Sequence, residues 1–430
     1  MLAVALTAWW AAYGDPEMAR LIERALKGNL DVKKAYARIA EARALSGDAK
    51  SKLQPSLNFN TSAQNLRGGF QQGVIRIPQS GAGAPQGGSF VAPFETGIFQ
   101  GGLDTKWELD LWGSNRAAVA AAKADIGAET ELARDAAVTV AAEVARAYVE
   151  LRGFEERIGI VERSRDAQRE LLELTRARAD AGLASQLDVE RQGVLLANTE
   201  ATLPGLEAER EVRVNRLRVL TGDRTLRVEA ARLRLDAPDV GDGIDAELLR
   251  RRPDVRAAEA RIAAAAARTK QARTDLLPKI TFSGLMGRQS TSVSGFSLGG
   301  GNFFSVGPQL QLPIFSGGRI RANIAVNEAR VEQARAAFEQ EVLAAFEEAE
   351  NAITHYRQQR RRSEKLSAAA EAARRTLELA RDVQQAGLED FLTVLDAQRS
   401  LLDAEYQLSE ARTRVLAESV MVYKAVAGGW

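Results

Sequence analysis

The sequence predicts a mixed α and β chain, mostly helical, built as an internal tandem repeat, and three observations predict it. The stretch from Asp31 to Pro55 returns at a constant offset of 223 positions: Asp31, Val32, Ala37, Arg38, Ile39, Leu53 and Pro55 fall on Asp254, Val255, Ala260, Arg261, Ile262, Leu276 and Pro278. Four short segments alternate apolar and polar residues, the period of a strand. Two long proline-free runs carry apolar residues at steps of three and four, the period of packed helices.

The repeat sets the domain plan. Leu109, Trp112 and Arg116 match Leu312, Phe315 and Arg319, and Ala181-Gly182-Leu183 matches Ala386-Gly387-Leu388. The first repeat is residues 1–222. A linker, 223–245, follows, where Gly222, Pro238, Gly241 and Gly243 interrupt the helical pattern, and the second repeat is 246–430. Each half reads as helix, strand, glycine-rich loop, strand, very long helix, turn and long helix.

The expected strands are 55–66 and 98–112 in the first half, and 278–290 and 303–315 in the second. In the first, Leu57, Phe59, Thr61 and Ala63 oppose Asn58, Asn60 and Ser62; in the next, Leu103, Trp107, Leu109 and Leu111 oppose Asp104, Lys106, Glu108 and Asp110. Ile280 and Phe282 begin the third, and in the fourth Val306, Leu310, Leu312 and Ile314 alternate with Gly307, Gln309 and Gln311. Glycine-rich loops are expected at 67–97 and 288–302. These lengths are near the 9 to 11 residues that cross an outer-membrane hydrocarbon layer. Four strands cannot close a barrel, and open edges are not tolerated in lipid, so insertion requires several chains.

The helices are expected at 114–181, 185–221, 319–386 and 389–427. Val140, Val144, Ala147, Leu151, Phe154, Ile158 and Val161 form a heptad seam in the first, and Val331, Phe338, Val342, Ala345, Ala349, Ile353 and Tyr356 a stripe in its counterpart. At 1.5 Å per residue each long helix extends roughly 100 Å, a column rather than a core helix. Alanines beside the stripes suit a wall of helices, and each column ends at an Ala-Gly-Leu turn suited to a left-handed cap.

Composition narrows the function. With 430 residues, a net charge of +1, no cysteine and one histidine, the chain has no thiolate nucleophile, Cys-ligated zinc or multi-His metal site. Neutrality argues against a nucleic-acid partner. The apolar start, Met1 to Tyr13, is too short to span a bilayer and lacks a basic flank, so it reads as the start of a mature or truncated chain. No phosphate-binding glycine motif is present, and His355 and the run Arg357 to Arg362 read as ordinary helix surface. Glu347 and Glu348 are adjacent on a helix and form no catalytic dyad. No cofactor, metal or enzymatic role is expected.

Two acids at the helical turns stand out. Ser185 and Asp188 have the spacing of a capping box. Asp396 lies beyond the first turn of its helix with Leu392 one turn before it; repeated around a symmetry axis the pair makes an acidic, apolar ring, and alone Asp396 reads as a solvated acid.

Four strings carry a resemblance across nearly the whole chain: AWWAAYGDPEMARLIERALKGNLDV from Ala8, RRPDVRAAEARIAAAAARTKQARTDLLPKITFSG from Arg251, LPIFSGGRIRANI from Leu312 and AGLEDFLTVLDAQRSLLDAE from Ala386. Together they resemble the TolC-like outer-membrane efflux proteins that serve resistance-nodulation-division tripartite pumps. The resemblance implies a homotrimer whose chains each give four strands to a 12-stranded outer-membrane β-barrel, continued by a long α-helical periplasmic barrel. It implies passive conduction of drugs or other small molecules out of a Gram-negative cell, through a periplasmic gate opened by an adaptor protein and an inner-membrane pump.

By the same resemblance Leu392 and Asp396 look like constriction residues and Asp188 like a gate-closing acid. Gly182, Leu183, Gly387 and Leu388 would face the adaptor. Thr393 stands where some members carry a second aspartate, and Glu389 where some carry an arginine latch. Members of this branch are often lipoproteins; without an acceptor cysteine, either the barrel alone anchors the chain or the segment bearing that residue is missing. The alternatives are a channel for type I protein secretion or metal efflux, and a soluble periplasmic coiled-coil adaptor, which would lack the paired strands.

Overall fold

The computed structural model describes residues 9–69, 93–229, 250–293, 296–386 and 391–426. The chain order is a 3-10 turn (Trp9–Tyr13), α1 (Pro16–Gly28), α2 (Leu30–Ser51), β1 (Ser56–Gly69), β2 (Pro93–Leu109), α3 (Ser114–Asp180), α4 (Gln186–Thr221), α5 (Pro253–Thr274), β3 (Lys279–Val293), β4 (Phe296–Gln311), α6 (Arg319–Gln385) and α7 (Phe391–Ala425). Two compact units result, and each draws on both sequence repeats. One holds Met1–Ala42, Asp125–Ile262 and Gln333–Trp430; the other holds Arg43–Ala124 and Ala263–Glu332. No helix among the described residues is long and apolar enough to cross a membrane.

In the second of these units the four strands form one antiparallel sheet in the order β1-β2-β3-β4. Its central pairing, β2 with β3, joins the two repeats, and β1 and β4 are the edge strands, each with its outer side unpaired within the sheet. Residues paired across an antiparallel ladder project to the same face. The register therefore builds one apolar face from four rows: Leu109, Ile280 and Leu310; Trp107, Phe282 and Pro308; Leu57, Thr105, Gly284 and Val306; Phe59, Leu103, Met286 and Phe304. The opposite face carries Asn58, Asn60, Asp104, Ser283, Gln309 and their neighbours, with the Asp104 carboxylate accepting from the side-chain amides of Asn58 (3.1 Å) and Asn60.

The strand limits differ from the sequence expectation at both ends. The segment 288–302, expected as a loop, is mostly ladder: Arg288 pairs with Asn302, Gln289 with Gly301 and Ser290 with Gly300, with a register irregularity at Ser290/Ser292. Backbone pairing with a neighbouring strand holds glycines that local propensity assigns to a loop. Likewise β2 begins at Pro93, inside the expected loop 67–97. At the other end β2 stops at Leu109 rather than 112, because Asp110 turns to cap α3, accepting from the backbone N–H groups of Asn115 and Arg116 at 2.9 Å. β4 stops at Gln311 rather than 315, just before Pro313, which has no N–H to donate.

In the first unit the core gathers on α3. Val140, Val144, Leu151 and Val161 of the heptad seam are buried, and so are Ala141, Ala145, Tyr148 and Val149 beside them. α3 is thus covered on more than one side in this stretch, and each buried Val or Leu contributes roughly 1.5–3 kcal/mol. Small residues let the helices close in: a Cβ on Gly153 would lie 2.5 Å from Thr413 Cγ2 of α7. The N-terminal segment locks onto the same core. Trp9 stacks on Tyr423 at 5.4 Å, Tyr13 shares a 2.6 Å hydrogen bond with Ser419, and the Tyr148 hydroxyl donates to Asp15, the N-cap of α1.

Candidate functional site

α3 turns back into α4 at a first tip that is built by capping. Gly182 is left-handed at φ 72°, Leu183 N–H donates to Arg178 O (2.8 Å), and Gly182 N–H donates to Ala179 O (2.9 Å). These paired bonds satisfy carbonyls that the end of α3 leaves orphaned, a Schellman motif. Nothing packs where a Cβ on Gly182 would be, and Leu183 is 77% exposed. Ser185 then caps α4: its Oγ accepts from Leu187 N–H at 3.1 Å, while the Asp188 carboxylate accepts from Ser185 N–H at 3.3 Å. Asp188 also faces Arg191 at 3.9 Å. Its carboxylate is therefore engaged within its own tip, as the spacing of Ser185 and Asp188 predicts.

At the second tip, Gly387 and Leu388 lie outside the described residues. The start of α7 has two faces. Val394, Leu395, Ala397 and Gln398 are buried, with Val394 and Ala397 packed on Leu377 and Ala380 of α6 and flanked by Leu171 of α3 and Leu401. Leu392 and Asp396, four residues apart and so one turn above the other, point away from that core. Leu392 is 41% exposed, and Asp396 is exposed, with no hydrogen bond or ion pair to another described residue. The two tip acids thus differ: Asp188 is spent on a cap, and Asp396 is unspent. Nor does any hydrogen bond or ion pair among the described residues join them.

Behind this part of α7 lies a cleft of about 270 Å³ between α3, α6 and α7. Gln168 and Gln398 line it, each with a buried Oε1 that no hydrogen bond satisfies, and the Arg374–Glu405 ion pair at 2.6 Å crosses its rim. The apolar contacts of α7 with α6 therefore give way to looser polar packing within two turns of Asp396.

Sequence reading missed one buried polar centre in the first unit. Arg252 sits just before α5 and donates to Ala425 O (2.7 Å), Asp254 (2.6 Å) and Glu348 (2.7 Å), while Lys424 donates to Glu348 at 2.6 Å. Burial opposes the charge of Asp254 and of Glu348, but the hydrogen bonds and charges of Arg252 and Lys424 outweigh it and hold both carboxyls below their ordinary values. Nearby Asp135 is raised, by burial first and then by the charge of Asp254. The signal was the repeat itself: carried two residues upstream of Asp31 and Asp254, it aligns Asn29 with Arg252. His355 and Arg357 to Arg362 lie on α6, with His355 exposed.

The model of the outer membrane efflux protein family matches residues 21–223 and 246–428. The pyoverdine export outer membrane protein OpmQ of Pseudomonas aeruginosa is 32% identical over 98% of this chain and 87% of its own length. The toluene efflux pump outer membrane protein TtgI of Pseudomonas putida is 29% identical over 97% of this chain and 86% of its own. Among solved structures, the outer-membrane channel OprN superposes with a TM-score of 0.84 at 33% identity, covering 99% of this chain and 93% of that one. The outer membrane protein VceC of Vibrio cholerae superposes at 0.81 and 26% identity, over 98% of this chain and 99% of that one.

Proposed function

The chain belongs to the outer membrane efflux protein family, and we propose that three copies of it complete the duct of a tripartite pump. The protein is an outer-membrane exit channel of a Gram-negative bacterium, a transport protein rather than an enzyme. The observation that carries the trimer is the sheet: four strands with unpaired edges at β1 and β4, one apolar face and one polar face. Pairing β4 of one copy with β1 of the next removes every edge and gives twelve strands, with the apolar face on lipid and the polar face on water.

The gate belongs to α7. Around a threefold axis, copies of Leu392 form an apolar constriction and copies of Asp396 an acidic ring one turn further along. Like charges close to one axis repel and attract cations, so the closed gate is cation-selective and is held shut by packing rather than by the acids themselves. Opening swings the start of α7 away from the axis, and the polar cleft behind it leaves room for that motion. Asp188 supports the gate indirectly, by fixing the first turn of α4. Gly182 and Leu183 present the exposed first turn to a periplasmic adaptor, Gly387 and Leu388 are their counterparts in the second repeat, and the energy for export comes from an inner-membrane pump. The kinship with pyoverdine and toluene exporters points to small organic cargo.

Single-channel recording of the purified protein in planar bilayers tests the gate. Asp396→Ala lowers cation selectivity; an unchanged selectivity in a folded trimer excludes the ring.

A further inference from the structure

The apolar face of the sheet has two unlike borders. Its four rows span about 20 Å along the strands and, at a tilt of about 40°, roughly 16 Å across the membrane, and the row beyond them brings this to about 21 Å, close to the ~25 Å apolar band of such barrels. The helix-bearing border is aromatic: Trp107 donates its indole N–H to Leu53 O (3.1 Å) and Trp112 donates to Pro278 O (2.7 Å). Tryptophan with its polar tip satisfied is suited to a membrane interface.

The opposite border is cationic. The row beyond Phe59, Leu103, Met286 and Phe304 is Thr61, Gly101, Arg288 and Asn302. Arg288 is exposed and makes no hydrogen bond or ion pair with another described residue. Its side chain leans away from the apolar rows: Nε lies 3.7 Å from where a Cβ on Gly300 would be, and Gly300 is one row further out. Beyond it on β1 to β3, apart from Phe99, the face is small or polar. The other cation there, Arg67, is neutralised by its 2.7 Å bond to Glu95. Arg288 is thus the one uncompensated charge on the apolar face among the described residues. It stands at the border of the apolar rows, with its Nε turned toward the next row out.

We propose that Arg288 is a docking site for the phosphate of an anionic lipid in the outer leaflet. The inference rests on the trimeric-barrel reading, which puts the strand-connecting end of the sheet outside. A guanidinium at a lipid–water border is matched by a phosphate, which accepts its forked N–H groups. With three such sites the barrel carries a cationic girdle that sets its depth from outside, while the tryptophans set it from within.

Native mass spectrometry of the purified protein tests this, with lipid A and chemically dephosphorylated lipid A added in parallel. The expected result is preferential retention of phosphorylated lipid. The preference falls about fivefold in Arg288→Gln, the effect of one cation at an anionic surface, and persists in Arg288→Lys and in Arg412→Gln on α7. Equal retention of the two lipids by the unaltered protein overturns the inference whatever the variants do. Equal preference in the unaltered protein and Arg288→Gln overturns the assignment to this residue. A chain without a detergent belt fails at the barrel reading instead, before any lipid is compared.

Discussion

Asn29 and Arg252 occupy the same position in the two repeats and do the same job with different chemistry. Each donates a side-chain hydrogen bond into the last turn of the return helix of its own half: Asn29 Nδ2 to Leu220 O at 2.9 Å and Arg252 Nη1 to Ala425 O at 2.7 Å. Asn29 spends the rest of its amide on capping α2, accepting from the N–H groups of Asp31 (2.8 Å) and Val32 (3.2 Å). Arg252 instead organises Asp254, Glu348 and, through Glu348, Lys424. The duplicated backbone fixes where the tie must be; the side chain is free to be a neutral amide or the centre of a buried ion network. The first half packs its tie tightly, since a Cβ on Gly28 would lie 2.1 Å from Thr221 O.

The difference predicts unequal costs. Arg252→Met leaves Asp254 and Glu348 partly buried without their main partner, and should destabilise the protein by about 3 kcal/mol. This loss has a pH signature. Both carboxyls have lowered pKa values in the folded state, so their contribution is complete above the unfolded values and is lost as pH falls through the folded ones. The penalty of Arg252→Met therefore shrinks below about pH 4, as scanning calorimetry of variant and parent at matched pH would show; a penalty constant from pH 3 to 7 would mean the charges contribute nothing. Asn29→Ala should cost about 2 kcal/mol, a lost cap plus a lost tie, with no change across the same pH range. If both substitutions respond alike to acid, the two ties are not chemically distinct.

The smallest effect belongs to the first tip. Ser185→Ala removes one cap bond and should cost about 1 kcal/mol. Hydrogen exchange should quicken only in the first turn of α4. Spread of that change to α7 would show that the tips are coupled more strongly than their separate bonding implies.

Much of this was legible in the residues. Heptad spacing in Val140 to Val161 and alternation in GLDTKWELDLW are local signals, and Ser185 with Asp188 foretold the cap that forms. The pairing of 288–302 was not legible, because a glycine-rich string reads as loop until a neighbouring strand supplies hydrogen bonds. The exposure of Asp396 was half legible: its spacing from Leu392 put the two on one face, but only the packing of Val394 and Ala397 on α6 shows which face is left open. The network around Arg252 was hidden because its members lie far apart in sequence.

By itself the sequence determined the repeat, the periods and the turn chemistry, since these depend on residues within a few positions of one another or on self-comparison. Tertiary structure alone decided the strand register that gathers four apolar sets on one face, the joining of the two repeats through β2 and β3, the outward lean of Arg288 and the ties at Asn29 and Arg252. Each of these is a bond or contact between distant residues, and its energy exists only once the chain has closed the loop that brings them together.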